Sequence, residues 1–176
     1  PKELVQSARR TAYRVIADDS IKNVKNRSIK HGAETLDAFS QALCRPLRDT
    51  AKNYAYTWKQ LHPFERVVAD LTVTARQKRD GLTLNTVLSE IHEARKMIRE
   101  ASKDWIAKVK GSSSAREAGT NLQEGLASLA ELYETFASPH VAGILQLQSS
   151  LRNAPVVREL PTVVLVGAPN VGKSSI

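Results

Sequence analysis

Between residues 4 and 151 the apolar residues recur at intervals of three and four. A chain written that way buries them only by coiling into helices and laying those helices against one another. A short first helix is expected to carry Leu4, Val5, Ala8, Ala12, Val15 and Ile16, with Asp18, Asp19 and Ser20 breaking it and capping the next. A long helix over about 21–58 has the stripe Ile29, Ala33, Leu36, Phe39, Leu43 and Leu47. Pro46 lies inside it and predicts a kink or break near Arg45, because proline removes a helical hydrogen bond. His62-Pro63 opens a third helix, with Glu65 in its first turn and Phe64, Val67, Val68 and Leu71 as its expected inner face; Asp80-Gly81 closes it. A fourth runs over about 84–109, with Leu84, Val87, Leu88, Ile91, Ala94, Ile98, Trp105 and Val109 at helical spacing. After the loop Gly111-Ser112-Ser113, Ser114 and Glu117 match a capping box, and Leu122, Leu126, Leu129, Leu132 and Phe136 continue that helix. Ser138-Pro139 predicts a fresh cap and start for a last helix with Val141, Ile144, Leu145, Leu147 and Leu151.

The pattern changes after residue 153. Asn153, Pro155 and Pro161 punctuate a connector, and Thr162-Val163-Val164-Leu165-Val166 is a β-branched, uninterrupted apolar run of the kind a doubly buried strand shows. Directly behind it, Gly167-Ala168-Pro169-Asn170-Val171-Gly172-Lys173-Ser174 matches G-x-x-x-x-G-K-[ST] without a departure. The glycines permit the tight turn, and the amides from Asn170 to Ser174 can converge on phosphate oxygens. Lys173 would reach the β- and γ-phosphates and Ser174 would ligate Mg²⁺. The expected fold is therefore mainly α: a helical bundle followed by the first strand and phosphate loop of an α/β nucleotide-binding domain. The expected divisions are a basic helical segment at 1–30, the bundle at 31–153, a linker at 154–161, and the strand and loop at 162–176. The sequence stops two residues beyond Ser174, so it reads as part of a longer GTPase polypeptide, inactive by itself, and it offers no catalytic residue.

Charge sharpens the expected partner. Lys and Arg number 26 against 18 Asp and Glu, and net +5 of the excess lies in residues 1–30. Arg9, Arg10, Arg14, Lys22, Lys25, Arg27 and Lys30 form a cluster dense enough to grip RNA phosphates, with Tyr13 able to stack on a base. Lys103, Lys108 and Lys110 are the alternative basic surface. The plain alternative is a solvated basic helix face. A single cysteine, Cys44, excludes an internal disulfide framework and multi-cysteine zinc sites, and its place in an apolar stripe makes it a core residue. His31, His62, His92 and His140 are scattered; His92-Glu93 begins a zinc-protease pattern, but Lys96 stands where its second ligand belongs. Trp58 and Trp105 sit at apolar helical positions, as core or interface anchors. No apolar run reaches the roughly 20 residues of a membrane helix, so no membrane span is expected.

The loop Gly167-Ala168-Pro169-Asn170-Val171-Gly172-Lys173-Ser174-Ser175 resembles the first guanine-nucleotide element of the Obg-related, translation-associated GTPases. Leu61-His62-Pro63-Phe64-Glu65-Arg66 and Leu151-Arg152-Asn153-Ala154-Pro155 resemble the N-terminal helical domain of the Nog-type (nucleolar GTP-binding) family within that group. The resemblance spans roughly residues 7–176 and looks closer to an organellar, plastid branch than to the nucleolar one. It implies a large-subunit ribosome assembly factor whose helical bundle docks on ribosomal RNA, among ribosomal proteins of the pre-large subunit and other assembly factors, while a GTPase domain acts as switch. It implies GTP or GDP and Mg²⁺ on Gly167, Asn170, Val171, Gly172, Lys173, Ser174 and Ser175, with Asn170 helping to coordinate K⁺. It also implies the plastid stroma, then the mitochondrial matrix, with the nucleolus or nucleus as alternative. Two other functions fit the residues: a nucleotide-independent RNA-binding or placeholder module, and a P-loop kinase or ATPase with a helical extension, against which Asn170, Val171 and Ser175 argue.

Overall fold

The computed structural model describes residues 2–81, 83–152 and Val166. Six α-helices follow in order: α1 (Lys2–Ala12), α2 (Val24–Gln60), α3 (Pro63–Asp80), α4 (Leu84–Lys110), α5 (Ala115–Leu132) and α6 (Ser138–Arg152), with a π-helical turn at Tyr133–Ala137 between the last two. Local chemistry explains most of the ends. Asn23 caps α2 by accepting from the Asn26 amide at 3.2 Å. At the α2–α3 corner, His62 Nδ1 accepts from the Phe64 amide while Glu65 accepts from the His62 amide, both at 3.3 Å, and Pro63 fills a position whose N–H would be unpaired. Gly81 ends α3 at φ 71°, the left-handed region open to glycine. Thr83 and Ser114 cap α4 and α5 with their hydroxyls.

The core lies where α2, α4 and α5 meet; α1 lies along α2, and α6 packs on α4. Leu36, Phe39 and Leu43 of α2, Ile91 and Ile98 of α4, and Leu129 of α5 are almost wholly sequestered there, and α1 adds Val5, Ala8 and Ala12. Two glycines set how closely these helices approach. A Cβ on Gly32 of α2 would stand 3.0 Å from Val109 Cγ1 of α4. A Cβ on Gly125 of α5 would stand 2.9 Å from Leu36 Cδ2 and 3.2 Å from Trp105 Cγ.

The structure corrects four expectations. Of the kink or break expected near Arg45, the break is absent: α2 runs through Pro46 to Gln60. A proline costs a helix interior about 3 kcal/mol, and the burial of Leu43, Cys44 and Leu47 around it outweighs that. The last helix does start at Ser138, but Ser138 is no fresh cap: its backbone is helical and its amide bonds back to the Tyr133 carbonyl five residues earlier, so a wide turn carries α5 straight into α6. The first helix stops at Ala12, leaving Val15 and Ile16 outside it and Ile16 exposed; Asp18 turns back on Ser20 and caps no helix. Finally, Phe64, Val67 and Leu71 of α3 face solvent, at 49%, 56% and 64% exposure. Helix α3 is apolar on two sides, and it is Ala69, with the half-buried Val68, Thr72 and Val73, that turns inward.

The expected bundle is observed. The expected connector and phosphate loop lie outside the described residues; of the expected strand only Val166 is described, exposed and without regular secondary structure.

Candidate nucleic-acid interface

The seven cations expected to form one RNA grip divide in the structure. Residues 13–23 fold back on the first turns of α2, held by a small charged network. Asp18 accepts from Lys30 Nζ at 2.7 Å and from the Ser20 amide at 3.1 Å; Arg27 Nη1 meets Asp19 at 3.4 Å; His31 Nε2 lies 3.1 Å from the Val15 carbonyl. The Lys30 hydrogen bond, followed by those from Ser20, holds the Asp18 carboxyl down to about 2, and the same contact raises Lys30. Lys30 also lies 4.0 Å from Glu34. Lys25 is close enough to Glu117 to favour its ionised form, though the Ser113 hydroxyl and amide do more of that. Arg27 and Lys30 are thus fasteners of the fold, and Lys25 is exposed.

Arg9, Arg10, Arg14 and Lys22 are different. They are exposed and have no ion pair among the described residues. Arg9 and Arg10 occupy the last turn of α1, where cations also suit the negative end of the helix. The Tyr13 amide bonds to the Arg9 carbonyl at 2.9 Å, which continues the turn, and Tyr13 is 63% exposed. Exposed arginines near an exposed tyrosine in the chain offer phosphate contacts and a stacking surface.

A second basic surface was only touched by sequence reasoning, through Lys103. Arg95, Arg99 and Lys103 recur every four residues along α4 and face Arg45 and Arg48 of α2 across a cleft of about 270 Å³. The signal was readable as an i, i+4, i+8 row of cations, but only the packing of α4 on α2 brings in the opposite wall. Of the other two alternative lysines, Lys108 lies over the Trp105 ring at 4.0 Å, and Lys110 lines a separate groove with Asn26, Lys30 and Glu34.

The remaining candidates behave as core or cap. Cys44 is buried, and burial pushes its thiol up, with Ser40, Arg99 and Arg95 opposing. His62 is a helix cap, and among the described residues no group of His, Cys, Asp and Glu gathers to hold a metal. Trp105 packs against the core and Trp58 is half-buried. Gly167, Asn170, Val171, Gly172, Lys173, Ser174 and Ser175 lie outside the described residues. No helix among the described residues is long and apolar enough to cross a membrane.

Comparison with known proteins finds two similarities. Residues 1–158 match the family model described as the NOG1 N-terminal helical domain. An uncharacterized protein of Methanocaldococcus jannaschii is 28% identical over 83 residues, which is 47% of this chain and 23% of that protein. The chain thus matches less than a quarter of that relative's length.

Proposed function

The chain belongs to the NOG1 N-terminal helical domain family, and from that premise we propose that it serves a guanine-nucleotide-binding assembly factor of the large ribosomal subunit. The helical domain docks on ribosomal RNA of the precursor particle, and the nucleotide-binding part switches that docking. The family match over residues 1–158 carries the reading. The sequence motif at 167–174 supports it: glycines at both ends would let the intervening amides meet phosphate oxygens, the Lys173 ammonium would offset phosphate charge and the Ser174 hydroxyl would ligate Mg²⁺. Asn170 is proposed to contribute to K⁺ coordination beside the phosphates. A bound nucleotide would supply the γ-phosphate contacts that distinguish two states of the switch.

On the helical side, Arg9, Arg10, Arg14 and Lys22 supply phosphate contacts and Tyr13 a stacking surface. Arg27 and Lys30 hold residues 13–23 against α2, which orients that surface. We place the factor in the plastid stroma, with the mitochondrial matrix and the nucleolus as the outcomes that imaging of a tagged protein would substitute.

The test measures binding of the longer polypeptide to precursor large-subunit RNA with GTP, with GDP and without nucleotide, beside a Lys173→Ala variant. Affinity or release should depend on the nucleotide, and Lys173→Ala should remove that dependence. Equal binding in every state would support the second reading, a nucleotide-independent RNA-binding or placeholder module, which the built-up basic surface of the helical domain alone would serve.

A further inference from the structure

We propose that the cleft between α2 and α4 is a second RNA contact, taking the phosphodiester backbone of a single strand between Arg45 and Arg48 on one wall and Arg95, Arg99 and Lys103 on the other. This rests on the RNA-docking reading above, and it adds a site that the basic N-terminal segment does not contain.

Five cations converge on one cleft of about 270 Å³. One carboxylate, Asp37, lines the cleft and accepts from Gln41 Nε2 at 2.7 Å, and Asp49 pairs with Arg48 Nε at 2.9 Å, so positive charge stays in excess. Arg45, Arg99 and Lys103 have no ion pair among the described residues, and Arg95 only approaches His92 Nδ1 at 3.4 Å. Cations repeated at i, i+4 and i+8 oppose helix formation, so this row works against the stability of α4 unless an anion lies along it. Arg95, half-buried, and Arg99, exposed, line the same cleft as Cys44, which lies on its floor.

The walls favour phosphate over an acidic protein. Arginines dominate, and their planar forks match the two free oxygens of a phosphodiester. The floor is Ser40, Cys44 and Ser102, with Ile106 at one end. It offers no aromatic or large apolar pocket of the kind that anchors a protein partner.

Oligouridylate RNA is the probe, because weak base stacking isolates the phosphate contribution. Affinity is measured against salt concentration for the chain, for R95Q/R99Q/K103Q and for R9Q/R10Q/R14Q. Loss of three single-strand phosphate contacts lowers the log–log salt slope by about 2. Between 50 and 200 mM salt that amounts to about a sixteenfold smaller drop in affinity for the cleft variant. Its thermal midpoint should hold or rise as like-charge neighbours disappear; should the triple variant misfold, R45Q on the opposite wall must still lower the slope. An unchanged slope in the cleft variants, with loss in R9Q/R10Q/R14Q, overturns the cleft proposal and leaves RNA docking standing. No binding by the unaltered chain, or none lost in either triple, removes both. Polyglutamate bound as tightly as RNA and lost in the same cleft variants would make the partner an acidic protein and overturn the proposal.

Discussion

Alanine at Gly125 and alanine at Gly119 should move stability in opposite directions, although both replace a glycine within α5. Each substitution recovers about 1 kcal/mol of helix propensity, because alanine has less backbone freedom to lose. At Gly119 the new methyl meets nothing within 4 Å, so that gain stands. At Gly125 it meets Leu36 Cδ2 at 2.9 Å, Trp105 Cγ at 3.2 Å and Trp105 Cβ at 3.3 Å. The leucine methyl is the end of a flexible side chain, but Leu36 is fully buried and has little room to turn. Trp105 Cβ is fixed to α4, so relief requires α5 to back away by a few tenths of an ångström and loosen the shared core. Overpacking of this kind costs about 1–3 kcal/mol. Set against the propensity gain, Gly125→Ala should end about 1 kcal/mol less stable. For a chain of this size, thermal unfolding followed by circular dichroism should show a midpoint about 2–4 °C higher for Gly119→Ala and lower by a similar amount for Gly125→Ala. If both variants rise together, the close approach of α5 to α2 and α4 is not as described.

Tyr133→Phe should raise stability by about 1 kcal/mol, since the Tyr133 hydroxyl is buried without a hydrogen-bond partner among the described residues; a lower urea midpoint would reveal a partner for it. The Asp18–Lys30 contact should be sensitive to acid. Asp18 is held down to about 2 from its ordinary 3.8, so its contribution is complete above 3.8 and fades as pH falls through about 2. Lys30, raised above its ordinary 10.5, keeps its share until pH climbs past that raised value. The difference in thermal midpoint between the chain and Asp18→Asn should therefore be present at neutral pH and vanish in strong acid; a constant difference would assign the substitution's effect to something other than charge.

Local chemistry was legible in the sequence and long-range choice was not. His62-Pro63 with Glu65, Asp80-Gly81, and Ser114 with Glu117 all mark helix ends that the structure shows, because capping is decided within four residues. The capping glutamate of α5 departs in one detail: it accepts from the amide and hydroxyl of Ser113, one residue before the cap. Helix α3 shows the limit. Its sequence has apolar residues on both sides, and only the position of α6 determines that Ala69 turns inward while Phe64, Val67 and Leu71 stay outside. The basic segment shows it again, since composition counts Arg27 and Lys30 with Arg9 and Arg14, whereas the fold returns Asp18 and Asp19 to the first two. The α2–α4 cleft was half legible: one wall is a row along a single helix, and the other is 47 or more residues away in the chain.

The π turn at Tyr133–Ala137 bears on how this chain can change length. Leu129, Tyr133, Ala137 and Val141 all pack into the core or against it at three successive intervals of four. Three intervals of 3.6 would fall short of that by about one residue. The wide turn absorbs the surplus, so α6 resumes with its apolar side still in phase with that of α5. A single-residue deletion within 133–137 would convert the turn to ordinary helix and leave both flanking segments facing as they do. The same deletion in the middle of α5 would swing everything beyond it by about 100° and turn the core side outward. Among relatives of this chain, a one-residue gap should therefore fall at this turn and be absent from the helical turns on either side.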